Sequence, residues 1–91
     1  MICRYGGEEF LLLLPRITPQ AAWKRAEQYR LALQNSAIPW DGDTIHTTLS
    51  AGIACFPQHG RTMESLIQAA DQALYRAKAS GRNRVLTADM V

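Results

Sequence analysis

The spacing of hydrophobic positions changes repeatedly along the chain, and each change marks an element. Residues Met1 to Pro15 hold two short apolar runs flanking Gly6-Gly7-Glu8-Glu9, which reads as a β-hairpin turning at the glycines. Leu11 to Leu14 form a buried strand rather than a helix, because Pro15 stops the run after four residues. Thr18-Pro19 starts a helix, with a hydroxyl at the N-cap and proline where a missing N–H costs nothing. Ala22, Ala26, Tyr29 and Leu33 then recur at helical spacing as its apolar face, while Lys24, Arg25, Gln28 and Arg30 lie mostly on the wet side. Asn35-Ser36 closes the helix, and Ile38-Pro39-Trp40 with Asp41-Gly42-Asp43 reads as an edge strand and a tight turn.

From Thr44 to Phe56 the period becomes two, which predicts the longest strand of the chain. Ile45, Thr47, Leu49, Ala51, Ile53 and Cys55 share one face. The other face is smaller, with Gly52 in mid-strand, so backbone or a helix is expected to pack close there. Thr62 caps a second helix whose apolar face runs through Met63, Leu66, Ile67, Ala70, Ala73, Leu74 and Ala77, and Gly81 terminates it from the C′ position. Val85-Leu86-Thr87 makes a last short strand, with Ala88 to Val91 a frayed end. The predicted order is β-β-α-β-β-α-β, an α+β fold with helices on an antiparallel sheet, forming one domain over residues 1–91.

Composition narrows the class. With 91 residues, 47% hydrophobic and 20% charged, the chain suits one small globular domain. No apolar run approaches the roughly 18 residues of a membrane span, and Met1-Ile2-Cys3-Arg4 lacks the pattern of a signal peptide, so a cytoplasmic protein without direct membrane contact is expected. Cys3 and Cys55 give neither a disulfide framework nor a zinc pattern and read as free thiols. His46 and His59 have no companion ligands, and Trp23 and Trp40 read as packing residues. A net charge of +2 is too small for a general nucleic-acid binder. Its distribution says more, since Arg76, Lys78, Arg82 and Arg84 crowd into one stretch that is a candidate anion site.

Two constellations can carry chemistry. In Arg4-Tyr5-Gly6-Gly7-Glu8-Glu9-Phe10, two glycines let backbone approach a ligand, and adjacent carboxylates suit a hard cation such as Mg²⁺. An ordinary hairpin with solvated acids fits the same residues. In Lys78-Ala79-Ser80-Gly81-Arg82-Asn83-Arg84, a point charge and a guanidinium fork can clamp a polyphosphate. The same cations also complement a helix C-terminal dipole.

These blocks, with Thr48-x-Ser50-x-Gly52 between them and Ala70-Asp71-x-Ala73-Leu74-Tyr75-x-Ala77-Lys78-x-x-Gly81-Arg82-Asn83 at the end, resemble a GGDEF domain in order and spacing. The resemblance implies a ferredoxin-like, nucleotidyl cyclase palm that condenses two GTP into cyclic di-GMP in bacterial signalling. It implies that Gly6 and Gly7 form the turn beside GTP, that Glu8 ligates Mg²⁺ or Mn²⁺ and helps deprotonate the attacking hydroxyl beside Glu9, and that Lys78 and Arg82 hold the terminal phosphates. Each domain brings one GTP, so a homodimer is implied. The family's first strand and two helices, which carry a further metal-ligating aspartate and the guanine-reading asparagine and aspartate, have no counterpart here. The chain therefore reads as the C-terminal part of such a domain, inactive alone. A non-catalytic, degenerate relative used for binding or dimerisation is the alternative. In the family that first strand lies between the strand of Leu11 to Leu14 and the strand of Ile45 to Phe56, so these are expected to close onto each other or to admit a second copy.

Overall fold

The computed structural model describes Ile2–Tyr5, Leu11–Leu13 and residues 17–90, with side chains from residue 17 onward. Its elements are β1 (Ile2–Tyr5), β2 (Leu11–Leu13), α1 (Pro19–Gln34), β3 (Ile38–Trp40), β4 (Asp43–Ile45), β5 (Ala51–Ala54), α2 (Met63–Ala79) and β6 (Val85–Thr87). The fold is α+β, as the periodicities predict, with one strand more than expected. The run from Thr44 to Phe56 is not continuous. Asp41 and Gly42 sit at φ +51° and +82°, the pair of left-handed residues that a type I′ turn demands, and fold β4 back onto β3. Ile38 then faces Ile45 and Trp40 faces Asp43, while residues 46–50 join no ladder before β5 begins.

This β3–β4 pair is a sheet of its own. Its paired Ile38, Trp40 and Ile45 are all exposed, Trp40 by 69%, so Trp40 is not the packing residue that its size suggests. Trp23 is: it packs against the core and its indole N–H donates to the Val85 carbonyl at 2.9 Å.

The main sheet has the order β2-β1-β5-β6. β1 runs antiparallel to both neighbours, with Ile2 opposite Leu13 on one side and Ala54 on the other. β1 itself thus fills the place between β2 and β5 where a gap was expected; neither a direct β2–β5 pairing nor a second copy is needed there. β5 and β6 are parallel, because α2 carries the chain back across the sheet between them.

β5 is the centre of the packing. Ala51, Ile53 and Cys55 face Ala22 and Ala26 of α1, together with Val85. Ala54 faces Leu66 and Ala70 of α2 on the other side. Helices on both faces bury the strand completely, and the small residues Gly52 and Ala54 let α2 come close on one face while Ile53 fills the core on the other. A Cβ on Gly52 would lie 2.2 Å from the Ala70 carbonyl oxygen and 2.3 Å from the Leu74 nitrogen, so the helix backbone rests directly on the strand.

Local chemistry fixes the helix ends. The Thr18 side chain accepts from the Ala21 N–H, with Pro19 in the first turn. Thr62 and Ser65 form a reciprocal capping box at the start of α2. Of the expected α2 face Leu66, Ala70, Ala73, Leu74 and Ala77 are buried, Ile67 is half-buried and Met63 is exposed. α1 buries only Ala22 and Ala26 fully, and Tyr29 of its expected apolar face is exposed. Of the expected frayed end, Ala88 to Met90 are held, since the Ala88 N–H donates to the Ile53 carbonyl at 2.7 Å and the Met90 N–H to the Thr87 carbonyl at 3.0 Å, while Val91 lies outside the described residues.

Candidate functional site

Strand register decides which segments meet. Arg4 pairs with Leu11, Tyr5 with Ala51, and Ala51 with Val85. The end of β1, the start of β2 and the starts of β5 and β6 therefore share one edge of the sheet. α2 runs back toward that edge, since it connects parallel strands. Gly6, Gly7, Glu8 and Glu9 lie outside the described residues, but the strands that flank them end beside the turn carrying Gly81 to Arg84. The Ala51 N–H donates to the Arg84 carbonyl at 3.0 Å, which fastens that turn to the sheet.

The turn is a helix stop with unusual backbone. The Arg82 N–H donates to the Ala77 carbonyl at 2.9 Å and the Gly81 N–H to Lys78 at 3.4 Å, the two bonds of a Schellman motif. Gly81, Arg82 and Asn83 follow one another at φ +124°, +62° and +49°. Left-handed backbone at two consecutive non-glycine residues is disfavoured and is held only where surrounding contacts dictate it. Gly81 serves the C′ position expected of it.

The four clustered cations separate into two kinds. Arg76 donates to the Ala88 carbonyl at 3.1 Å, and Arg84 Nε donates to the Arg82 carbonyl at 3.1 Å; both are tied to backbone. Lys78 is half-buried beside a small cleft lined by Asp71, Leu74 and Tyr75, and Arg82 is exposed. Among the described residues neither Lys78 nor Arg82 forms an ion pair. Arg76 and Arg84 thus have backbone partners, while Lys78 and Arg82 have no ion-pair partner among the described residues.

Sequence reasoning missed what supports them. Arg30, assigned to the wet side of α1, ion-pairs with Glu27, and its Nη1 donates to Gln34 Oε1 at 3.0 Å and to Asn83 Oδ1 at 2.9 Å. The hydrogen bond that Arg30 donates to Glu27 raises it above its ordinary pKa, so it stays charged. Asn83 Nδ2 returns a bond to Gln34 Oε1 at 2.9 Å, and its N–H donates to Ser50 Oγ at 3.0 Å. The spacing of Glu27 and Arg30, three apart on a helix, was the available signal.

At the opposite end of β5 and β6 polar groups pair with one another. His59 Nδ1 accepts from the Cys55 N–H at 2.8 Å, and its Nε2 lies 3.3 Å from Asp89. The Thr87 hydroxyl also donates to Asp89, which holds that carboxyl below its usual range, helped by His59. Burial pushes the free Cys55 thiol up. Among the described residues no three His, Cys, Asp or Glu side chains gather as a metal site, and no helix is long and apolar enough to cross a membrane.

A β2-β1-β5-β6 sheet with helices on both faces and a basic turn at one end defines an α+β domain, and comparison with known proteins gives the family. The family model described as "Diguanylate cyclase, GGDEF domain" matches residues 1–84. Diguanylate cyclase A of Treponema denticola is 39% identical over 82 residues, covering 90% of this chain and 22% of that protein. Response regulator PleD of Caulobacter vibrioides is 37% identical over 86 residues, covering 92% and 19%. The GGDEF domain of DgcB from Caulobacter crescentus, solved in complex with c-di-GMP, superimposes with a TM-score of 0.82 at 31% identity, covering 93% of this chain and 49% of that one. The chain belongs to the GGDEF family, whose function is cyclic di-GMP synthesis. It spans about a fifth of the length of the two curated relatives.

Proposed function

We propose that these residues supply the acidic hairpin and the basic turn of a diguanylate cyclase site, in which two GTP molecules become cyclic di-GMP. The observation that carries this is the register: Tyr5 beside Ala51, and Ala51 hydrogen-bonded to Arg84, put the flanks of the Gly-Gly-Glu-Glu-Phe segment at the edge where Lys78 and Arg82 stand. On this reading one triphosphate would touch both. Lys78 would act as a point charge on the terminal phosphates and Arg82 as a two-pronged donor. Gly6 and Gly7 would let backbone come close to the nucleotide.

Hard carboxylate oxygens from one or two acids, completed by phosphate and water, are the donor set Mg²⁺ or Mn²⁺ takes, so Glu8 fits as ligand with Glu9 alongside. A bound cation supplies positive charge against the phosphates at the reacting centre. Glu8 would also draw the proton from the attacking 3′-hydroxyl, whose in-line approach to the other α-phosphate depends on positioning and breaks the bond to the β-phosphate, so that pyrophosphate leaves as the new ester bond forms. Because each site brings one GTP, two copies must meet face to face. On this reading the 91 residues, about a fifth of the length of those two relatives, hold GTP by its phosphates and turn it over negligibly on their own.

Titration calorimetry with GTP and Mg²⁺, alongside chromatographic assay for cyclic di-GMP, tests this. Binding that disappears in Lys78→Ala and Arg82→Ala, with little product, is expected. Binding indifferent to both substitutions would remove the phosphate role, and ordinary rates of product would remove the inactivity.

A further inference from the structure

We propose that Arg30 is a positioning residue for the phosphate-binding turn, acting through Asn83; this rests on the reading of Lys78 and Arg82 given above. Arg30 stands on α1, far in sequence from the turn, and touches neither Lys78 nor Arg82. Its guanidinium nonetheless spends its three nitrogens on a fixed set of partners. Nε meets both Glu27 oxygens at 3.0 Å, and Nη2 also meets that carboxylate. Nη1 meets Gln34 Oε1, Asn83 Oδ1 and, at 3.4 Å, the Asn83 carbonyl. The Arg30 side chain is only 14% exposed, unlike an ordinary surface ion pair, which is loose and solvated.

Asn83 is the point of control. Its backbone is left-handed, as is that of Arg82 before it, and its side chain and N–H are held from two sides, by Arg30 with Gln34 and by Ser50. Releasing Asn83 lets the turn relax toward ordinary backbone, which swings the Arg82 guanidinium away and loosens the last turn of α2 that bears Lys78. A planar fork sets this geometry, and a lysine at position 30 keeps the charge without the fork.

Two readouts on the 91-residue chain test it: exchange of the Asn83 amide by NMR, and affinity for GTP with Mg²⁺. Arg30→Ala should raise Asn83 exchange while leaving amides of β5 protected, and should weaken GTP by about ten- to a hundredfold, as misplacement of a binding group does. Arg30→Lys, which keeps solubility and fold if the alanine variant does not, should recover only part of either. Trp23→Phe, which removes a hydrogen bond from the same helix to β6, controls for general destabilisation and should shift GTP affinity by less than about twofold. Unchanged Asn83 exchange in both Arg30 variants, or affinity losses no greater than in Trp23→Phe, overturns the proposal. Should the parent chain prove indifferent to GTP, or Lys78→Ala and Arg82→Ala bind like the parent, the functional reading fails, and Asn83 exchange still decides whether Arg30 sets the turn.

Discussion

The two edges of the main sheet use polar residues in opposite ways. Where β5 and β6 end, His59, Asp89 and Thr87 satisfy one another and the Cys55 N–H, so little is left to offer a ligand. Where those strands begin, Ser50, Asn83, Arg30 and Glu27 also form a network, but it holds a turn in left-handed backbone beside Lys78 and Arg82, neither of which has an ion-pair partner among the described residues. One edge spends its polar groups on closure. The other spends neutral and paired groups so that Lys78 and Arg82 need not be spent, and substitutions at the two edges should therefore separate stability from binding.

Gly52 couples both edges, and breaking it should erase the contrast. Gly52→Ala drives a methyl into the α2 backbone; overpacking of this kind costs about 3 kcal/mol, and denaturant unfolding should show that loss together with loss of nucleotide binding. Next in size, Lys78→Ala and Arg82→Ala should each weaken GTP by about ten- to a hundredfold, the worth of a charged hydrogen bond, with the unfolding midpoint almost unmoved. His59→Ala should do the reverse. It strands the Cys55 N–H, costing about 2 kcal/mol of stability by urea denaturation, and leaves GTP affinity intact.

The smallest effect is acid sensitivity. Asp89 has a depressed folded pKa, so its contribution is present above the ordinary carboxylate range and is lost as pH falls through the folded value. The side chain is largely exposed and screened, so below about pH 4 the melting temperature should fall by only about a degree or two more than in Asp89→Asn.

Much of this was legible in the residues. Helix limits followed from Thr18-Pro19, Thr62 and Gly81, because caps are local chemistry. Gly52 announced close packing. Alternation from Thr44 to Phe56 misled, because period two does not reveal which partner a strand takes; the Asp41-Gly42 turn claimed Asp43–Ile45 for β3, and the small residues after Ser50 went to the core. Trp40 shows the same limit: an aromatic predicts burial only if an element arrives to cover it. At the site, the basic cluster was visible, but which cations are spent on backbone carbonyls depends on the chain's path. Arg30 could not be assigned to Asn83 from spacing, since the two are joined only by tertiary structure.

The most direct measurement is paramagnetic broadening of the chain's amide resonances by Mn²⁺ with GTP. If an acidic hairpin and a basic turn grip one nucleotide, signals from Tyr5 and from Gly81 to Asn83 should fade first while those of His59 and Asp89 stay sharp. Fading centred on His59 and Asp89, or spread evenly over the chain, would contradict the account.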